Sequence, residues 1–338
     1  MAVPLADRVD LAALVALLAD GGVHSGVRLR RDLEAGRGGI AQAVQELRAQ
    51  GVEVEAVSRR GYRLPRPVEM LDAERIRAAM RQDCRDLLHR LEVLFEVDST
   101  NTHLLSAPAP PQGRANVCMS ELQRAGRGRR GRLWVSPFGG SIALSLGWTF
   151  RDTSRANSAL SLAVGVAVAR ALERSGAREI RLKWPNDIWF NDCKIGGVLV
   201  ELRTEPGGPA HAVIGVGLNL ALSNAARQEI ETGGARVAAL ADACPTPVAR
   251  NQLAAALLEE LLSMLSHFER EGFAAFRERW SELDALGGRA ARVLAGDAVI
   301  EGFARGVDED GALLLDSGGR LQRFVSGEVS LRLTAGDE

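Results

Sequence analysis

The stretch Ile180–Leu202, IRLKWPNDIWFNDCKIGGVLVEL, decides how the middle of this chain folds. Ile180–Lys183, Ile188–Phe190 and Gly197–Leu202 are short apolar runs that read as strands. Asn191-Asp192 is a hairpin signal between two of them. Upstream, Ala159–Arg174 is rich in Ala, Val and Leu all round, which predicts a buried helix ended by Gly176. Val93–Val97, Val117–Glu121, Ile142–Trp148 and Ala212–Gly217 add further strands, and Leu253, Leu257, Leu261, Leu265 and Phe268 mark a long amphipathic helix. Mixed strands flanked by helices predict an α+β or α/β domain.

Both ends of the chain read differently. Leu11, Leu14, Val15 and Leu18 recur at helical spacing up to Gly21-Gly22. A second helix is expected from about Gly26 to Glu34, and a third from about Arg37 to Gln50 with Ile40, Val44 and Leu47 on one face. Val52, Val54 and Ala56 alternate, Arg59-Arg60-Gly61 turns, and Tyr62-Arg63-Leu64 returns. This is the pattern of a winged helix-turn-helix; a generic helical cap with a hairpin is the other reading. At the far end Ala290–Leu294, Ala298–Ala304, Ala312–Asp316, Leu321–Val325 and Val329–Leu333 are short strands, with turns at Gly296-Asp297, Asp310-Gly311 and Ser317-Gly318-Gly319, which suggests a small barrel. Pro65 and Pro67 mark one boundary, a linker helix follows at about Asp72–Arg81, and Leu286-Gly287-Gly288 marks a second boundary. The expected organisation is an α+β multidomain chain divided at residues 1–65, 66–286 and 287–338.

A length of 338 residues exceeds one ordinary domain, and 46% hydrophobic with 25% charged residues is a globular composition. A net charge of -1 means that any anion binding must come from local clusters. Cys84, Cys118, Cys193 and Cys244 lie far apart with no CxxC spacing, so no zinc site is expected and a reducing cytoplasm fits best. No apolar stretch reaches 18 residues, so no membrane span is expected. Leu11–Ala19 could mimic a signal sequence, but a basic run follows it where a cleavage site would stand.

The chemistry-bearing segments are glycine-rich and basic. Gly126–Arg132, GRGRRGR, alternates glycine with Arg127, Arg129, Arg130 and Arg132, so close backbone amides and guanidiniums together favour phosphate or carboxylate. It is neither a P-loop nor a dinucleotide fingerprint, and an exposed basic loop or an RNA-binding tract would look similar. Lys183–Asp187 puts a cation, an aromatic, a rigid proline and a turn former at a strand end. Lys194 stands beside Gly196-Gly197, where it can approach a phosphate that meets bare backbone. Gly215–Asn219 is expected to interrupt a strand and admit close backbone approach. Ser99-Thr100-Asn101 supplies three small polar groups after a strand. No Ser–His–Asp or Cys–His arrangement is evident, so the pattern points to a reaction between two anions that the protein neutralises and positions, not to a covalent enzyme intermediate.

DSTN (Asp98–Asn101), QRAGRGRRGRLWVSPFGG (Gln123–Gly140), KWPNDI (Lys183–Ile188), KIGGVLVE (Lys194–Glu201), IGVGLNL (Ile214–Leu220) and GEVSLR (Gly327–Arg332) together resemble the bifunctional biotin–protein ligases that double as biotin-operon repressors. HSG (His24–Gly26) and the GVEV…RRGYRLP segment (Gly51–Pro65) match as well, so the resemblance spans nearly the whole chain.

That resemblance implies an N-terminal winged helix-turn-helix, a central mixed α/β ligase domain and an SH3-like C-terminal barrel. It implies an enzyme that joins biotin to ATP with Mg²⁺, giving biotinoyl-5′-AMP, and then biotinylates a lysine of a biotin carboxyl carrier protein. Ser99, Thr100 and Asn101 would line the biotin site, with Gln123 and the Arg127-Gly128-Arg129 backbone closing over it. Lys194 would contact the biotin carboxylate or the α-phosphate, Trp134 would pack over the adenylate, and Lys183, Gly197, Asn219 and Arg332 would complete the nucleotide side. Arg127, Arg129, Lys194 and Mg²⁺ would screen the two anions, and Asp187 would orient or deprotonate the acceptor lysine. A homodimer and operator DNA are the implied partners. The third helix opens on Gly36-Arg37-Gly38-Gly39, less polar and less basic than the family's usual recognition helix. The rivals are a lipoate–protein ligase, and a metabolite-sensing transcription factor without catalysis.

Overall fold

The computed structural model describes residues 9–36, 38–150, 159–204, 209–232, 236–295, 298–325 and 327–331. It opens with helices α1 (Leu11–Leu18), α2 (Gly26–Asp32) and α3 (Gly39–Ala49), then a hairpin of β1 (Glu55–Val57) and β2 (Gly61–Arg63). The Asp10 carboxylate accepts from Ala12 and Ala13 N–H, and Ser25 Oγ from Arg28 N–H, so each of the first two helices starts on a side-chain cap. Leu14, Val15, Leu18, Leu29, Ile40, Val44 and Leu47 bury together, as their spacing predicts. Leu122 of the large sheet is buried in the same cluster, and Phe95 and Phe138 pack on it, so this unit shares its core with the body of the molecule.

The body contains α4 (Ala73–Ala79), α5 (Gln82–Arg85), β3 (Leu88–Val97), α6 (Thr100–Ser106), β4 (Ala115–Gln123), β5 (Ser141–Phe150), α7 (Leu160–Arg174), β6 (Arg181–Lys183), β7 (Asp187–Phe190), β8 (Cys193–Thr204) and β9 (Ala210–Asn219). After them come α8 (Asn224–Glu231), α9 (Leu240–Ala243), α10 (Arg250–Glu271) and α11 (Ala274–Leu283). The strands form one seven-stranded mixed sheet in the order β3-β4-β5-β9-β8-β7-β6, with β3 and β4 parallel and the other pairs antiparallel.

The alternation of β5 and β9 explains where the core sits. Ile142, Leu144, Leu146 and Trp148 of β5, with Ile214, Val216 and Leu218 of β9, join the core that includes buried residues of α7 and α10. The intervening positions are small. Ser145, Gly215 and Leu199 form one cross-strand row, and Ala143, Gly217 and Gly197 the next. One face of the sheet is therefore filled with side chains and the other is left shallow.

Two local expectations change. Gly215 and Gly217 do not interrupt β9: its pairing runs in register from Asn219↔Ser141 to Ala210↔Phe150, because neighbours on both sides hold the backbone where side chains are missing. β8 begins at Cys193 and not at Gly197, since Asn191 (φ 48°) and Asp192 (φ 57°) make a tight turn that allows pairing from its first residue. The chain closes with β10 (Ala290–Ala295), β11 (Ala298–Val307), β12 (Leu313–Ser317), β13 (Arg320–Phe324) and β14 (Glu328–Leu331), an antiparallel sheet in the order β13-β12-β11-β10-β14. The turn expected at Gly296-Asp297 lies outside the described residues. Trp184 Nε1 donates to Gly311 O (3.0 Å) and Arg289 forks onto both oxygens of Asp192 (2.7 and 2.9 Å), which join this sheet to the β6–β8 edge. Among the described residues no helix is long and apolar enough to cross a membrane.

Candidate active site

Over the shallow face lies a cleft of about 660 Å³, within the range of small-molecule sites. Ser99, Thr100, Asn101, Gln123, Arg127, Gly128, Arg129, Trp134, Lys183, Asp187, Lys194, Gly197 and Asn219 all line it. Arg332 and Arg37 lie outside the described residues.

At one end a buried polar network forms around the start of α6. Gln123 Oε1 accepts from Thr100 N (3.0 Å) while its Nε2 donates to Ser136 Oγ (3.1 Å). Ser145 Oγ donates to Asn101 Oδ1 (2.5 Å) and lies 2.7 Å from Thr100 Oγ1. Asn101 Nδ2 donates to Glu201 Oε2 (2.9 Å). A side chain at position 215 would place its Cβ 2.3 Å from Asn101 Oδ1, so only glycine lets the amide lie on the sheet.

The GRGRRGR segment is a narrow hairpin. Trp134 N donates to Gly126 O (2.8 Å) and Gly128 N to Arg132 O (2.7 Å), with left-handed Arg130 (φ 57°) and Gly131 (φ 76°) at the turn. This closure lays the Trp134 ring over β9, where a Cβ at position 217 would come within 2.4 Å of it. Arg127 Nη2 donates to Glu201 Oε1 (2.7 Å), and Arg129 Nη1 to Asn186 Oδ1 (3.4 Å). Asn186 Nδ2 in turn donates to Val198 O (2.6 Å).

Toward the other end, Lys194 Nζ sits 2.6 Å from Asp187 Oδ1 and 5.8 Å from the centre of the Trp134 ring, and Lys183 Nζ lies 4.5 Å from that of Trp189. Asn219 donates through Nδ2 to Ala238 O (3.2 Å). Gly327 and Val329 bring the C-terminal sheet to the cleft wall, and Glu229, Ile230 and Thr232 bring α8 and the residue after it. The sequence reading did not single out Glu201, Ser136, Ser145 or these α8 residues. An acidic residue inside the apolar run Gly197–Leu202 was the one available signal for Glu201; α8 carried none.

Residues 94–219 match the biotin/lipoate A/B protein ligase family, and residues 286–332 match the biotin protein ligase C-terminal domain. The chain is 40% identical to the bifunctional ligase/repressor BirA of Salmonella typhimurium, over 94% of this chain and 96% of that one. It is 32% identical to the biotin–[acetyl-CoA-carboxylase] ligase of Mycobacterium tuberculosis, over 77% of this chain and 98% of that one. A solved biotin protein ligase from Aquifex aeolicus in complex with biotin and ATP superposes with a TM-score of 0.61 at 27% identity, covering 73% of this chain and 100% of that one. Fold and cleft are thus those of a biotin/lipoate-type protein ligase. The chain belongs to the bifunctional biotin ligase/repressor family.

Proposed function

We propose that this chain is an ATP-dependent biotin–protein ligase that also binds operator DNA. In the first step a biotin carboxylate oxygen attacks the α-phosphorus of ATP, and pyrophosphate leaves. In the second, the amine of a lysine on a biotin carboxyl carrier domain attacks the acyl carbon of biotinoyl-5′-AMP, and AMP leaves. The observation that carries the reading is the convergence of the DSTN, GRGRRGR, KWPND, KIGG and GVGLN segments on one cleft.

Both partners of the first step are anions, and bringing them together needs fixed positive charge. Lys194 and Arg129, both in the cleft lining, supply it. The backbone of Arg127-Gly128-Arg129 covers the biotin end above Ser99, Thr100, Asn101 and Gln123. Trp134 provides the surface on which the adenylate packs, with Lys183, Gly197 and Asn219 of the same cleft lining around the nucleotide. When an anion draws Lys194 away, Asp187 is released to take a proton from the acceptor lysine. Among the described residues no three acidic, imidazole or thiol groups converge. A Mg²⁺ ion, which the family resemblance implies, would accompany the nucleotide and offset the charge of its phosphates.

The three helices with their hairpin are read as a winged helix-turn-helix covering residues 1–65, residues 66–286 as the ligase domain, and the C-terminal sheet from residue 287 as an SH3-like barrel. Arg59 and Arg60 stand exposed at the hairpin tip, available for phosphate contacts. Arg48 is committed elsewhere, donating to Val54 O (2.6 and 2.9 Å). A cytoplasmic homodimer would match two operator half-sites.

Incubation with biotin, ATP, Mg²⁺ and a carrier domain, followed by mass spectrometry of the carrier, tests the ligase reading. The expected result is one added biotinoyl group. Modification by lipoate and not by biotin would overturn it in favour of a lipoate ligase, and no modification at all would leave a metabolite sensor. An electrophoretic shift of the biotin operator that depends on biotin and ATP tests the repressor role.

A further inference from the structure

Glu201 is the feature of the site that the ligation chemistry does not use. It stands near the end of β8, with its side chain about one-fifth exposed, and its two oxygens face different structures. Oε2 takes a hydrogen bond from Asn101 Nδ2, on an amide that is only 3% exposed. Oε1 takes one from Arg127 Nη2 on the half-exposed loop. Asn101 cannot swing away: Ser145 donates to its Oδ1, and Nδ2 also lies 3.4 Å from Leu199 O. The carboxylate is thus fixed from below and offers a charge-assisted acceptor upward. Arg127 Nη1 reaches Thr102 Oγ1 as well (3.4 Å), so both terminal nitrogens of its guanidinium face protein groups at the outer edge of the cleft.

We propose that Glu201 is the positioning residue that holds the arginine-rich hairpin over the cleft, and that Arg127 serves as its anchor and not as an anion-binding group. Backbone bonds shape the hairpin internally, but they do not locate it on the sheet. Besides the Trp134 ring lying on Gly217 of β9, side-chain links do: Arg127 through Glu201, and Arg129 through Asn186 to Val198, both referring the loop to β8. The first anchor sits beside the Thr100–Asn101 network, so it governs the end of the cleft assigned to biotin. This assignment rests on the ligase reading only for the identity of the ligand.

The test compares the full-length protein with Glu201→Gln, Arg127→Ala and the double variant. Glutamine keeps an acceptor for Asn101 and the side-chain volume, so the fold is retained, which unchanged circular dichroism would verify. In ligand-free Glu201→Gln, trypsin should cut after Arg129 and Arg130 at least about fivefold faster, as a released loop opens more often. Half-saturation by biotin in pyrophosphate release should rise about tenfold, the scale of one charge-assisted hydrogen bond, while the maximal rate falls less than about threefold. Arg127→Ala should do the same, and the double variant should add no more than about twofold to either single one. Wild-type cleavage and half-saturation in Glu201→Gln, or multiplying effects in the double variant, would overturn the proposal. Should the wild type release no pyrophosphate from biotin and ATP, the ligase reading fails, while the trypsin comparison still decides the anchor.

Discussion

At the scale of single residues the cleft is made by omission as much as by provision. Gly215 admits the Asn101 amide and Gly217 admits the Trp134 ring, so the floor is a row of peptide groups with polar side chains around it. Lys194 stands over that floor, its ammonium 2.6 Å from Asp187 and about one-quarter exposed. A cation so placed neutralises two approaching anions better than one in bulk water, because the walls lower the local dielectric. Lys194→Ala should cut pyrophosphate release from biotin and ATP by roughly 100-fold or more; a rate equal to the wild type would remove Lys194 from the first step. Its place in the cleft lining could be suspected from the sequence because a single lysine stands there beside Gly196-Gly197. The contacts of Glu201 were not legible, although its charge inside an apolar run was, because its partners Asn101 and Arg127 are 100 and 74 residues away and only the fold brings them to it.

At the scale of elements, the sequence foresaw the strands and the helices α1 to α4, α7 and α10, but not α5, α6, α8, α9 or α11, while strand ends and glycine positions depended on pairing. The clearest dependence on the fold is the segment Glu69–Asp72, strapped between β4 and the start of α10. Arg250 pairs with Glu121 (2.8 Å), with side chains only 7% and 2% exposed. Glu121 Oε1 accepts from Leu71 N (2.6 Å), Arg250 Nη1 donates to Glu69 O (2.7 Å), and Asn251 Oδ1 accepts from Asp72 N (2.8 Å). Removing one member of a buried pair strands the other charge. Glu121→Ala should therefore cost about 3–5 kcal/mol of stability in urea unfolding; a loss below about 1 kcal/mol would mean that the pair is replaceable by water. Nothing in the sequence around Glu121 or Arg250 announces this, since each looks like an ordinary charge at an element's end.

At the scale of the whole molecule, the C-terminal sheet is joined to the body through Trp184, Arg289 and the turn that follows α11. Asp284 sits in that turn, where Ala285 N donates to Leu182 O (2.8 Å). Burial pushes the Asp284 carboxyl from 3.8 up to about 6, against the pull of the Leu286 and Gly287 N–H groups. An acid whose folded pKa is raised binds its proton more tightly when folded. Its contribution is most favourable below about pH 4 and is lost as pH rises through about 6. Asp284→Asn should flatten the pH dependence of stability between those values and raise stability at pH 7.5 by on the order of 1–3 kcal/mol. A variant with the wild-type pH profile would show that the carboxyl is not desolvated at this joint.

What this chain owes to sequence alone is local: apolar alternation that makes β5 and β9 strands, caps and spacings that make the first helices, and a set of glycine-rich basic segments whose chemistry already points to paired anions. Those are properties of neighbouring residues, governed by backbone sterics and by the period at which side chains repeat. What only the tertiary structure decided is which of those segments face one another. The Glu201 link between Asn101 and Arg127, the Glu121–Arg250 strap and the core shared through Leu122 all join residues far apart in the chain. Their energies arise from burial and charge pairing, which exist only once the sheet has brought them together.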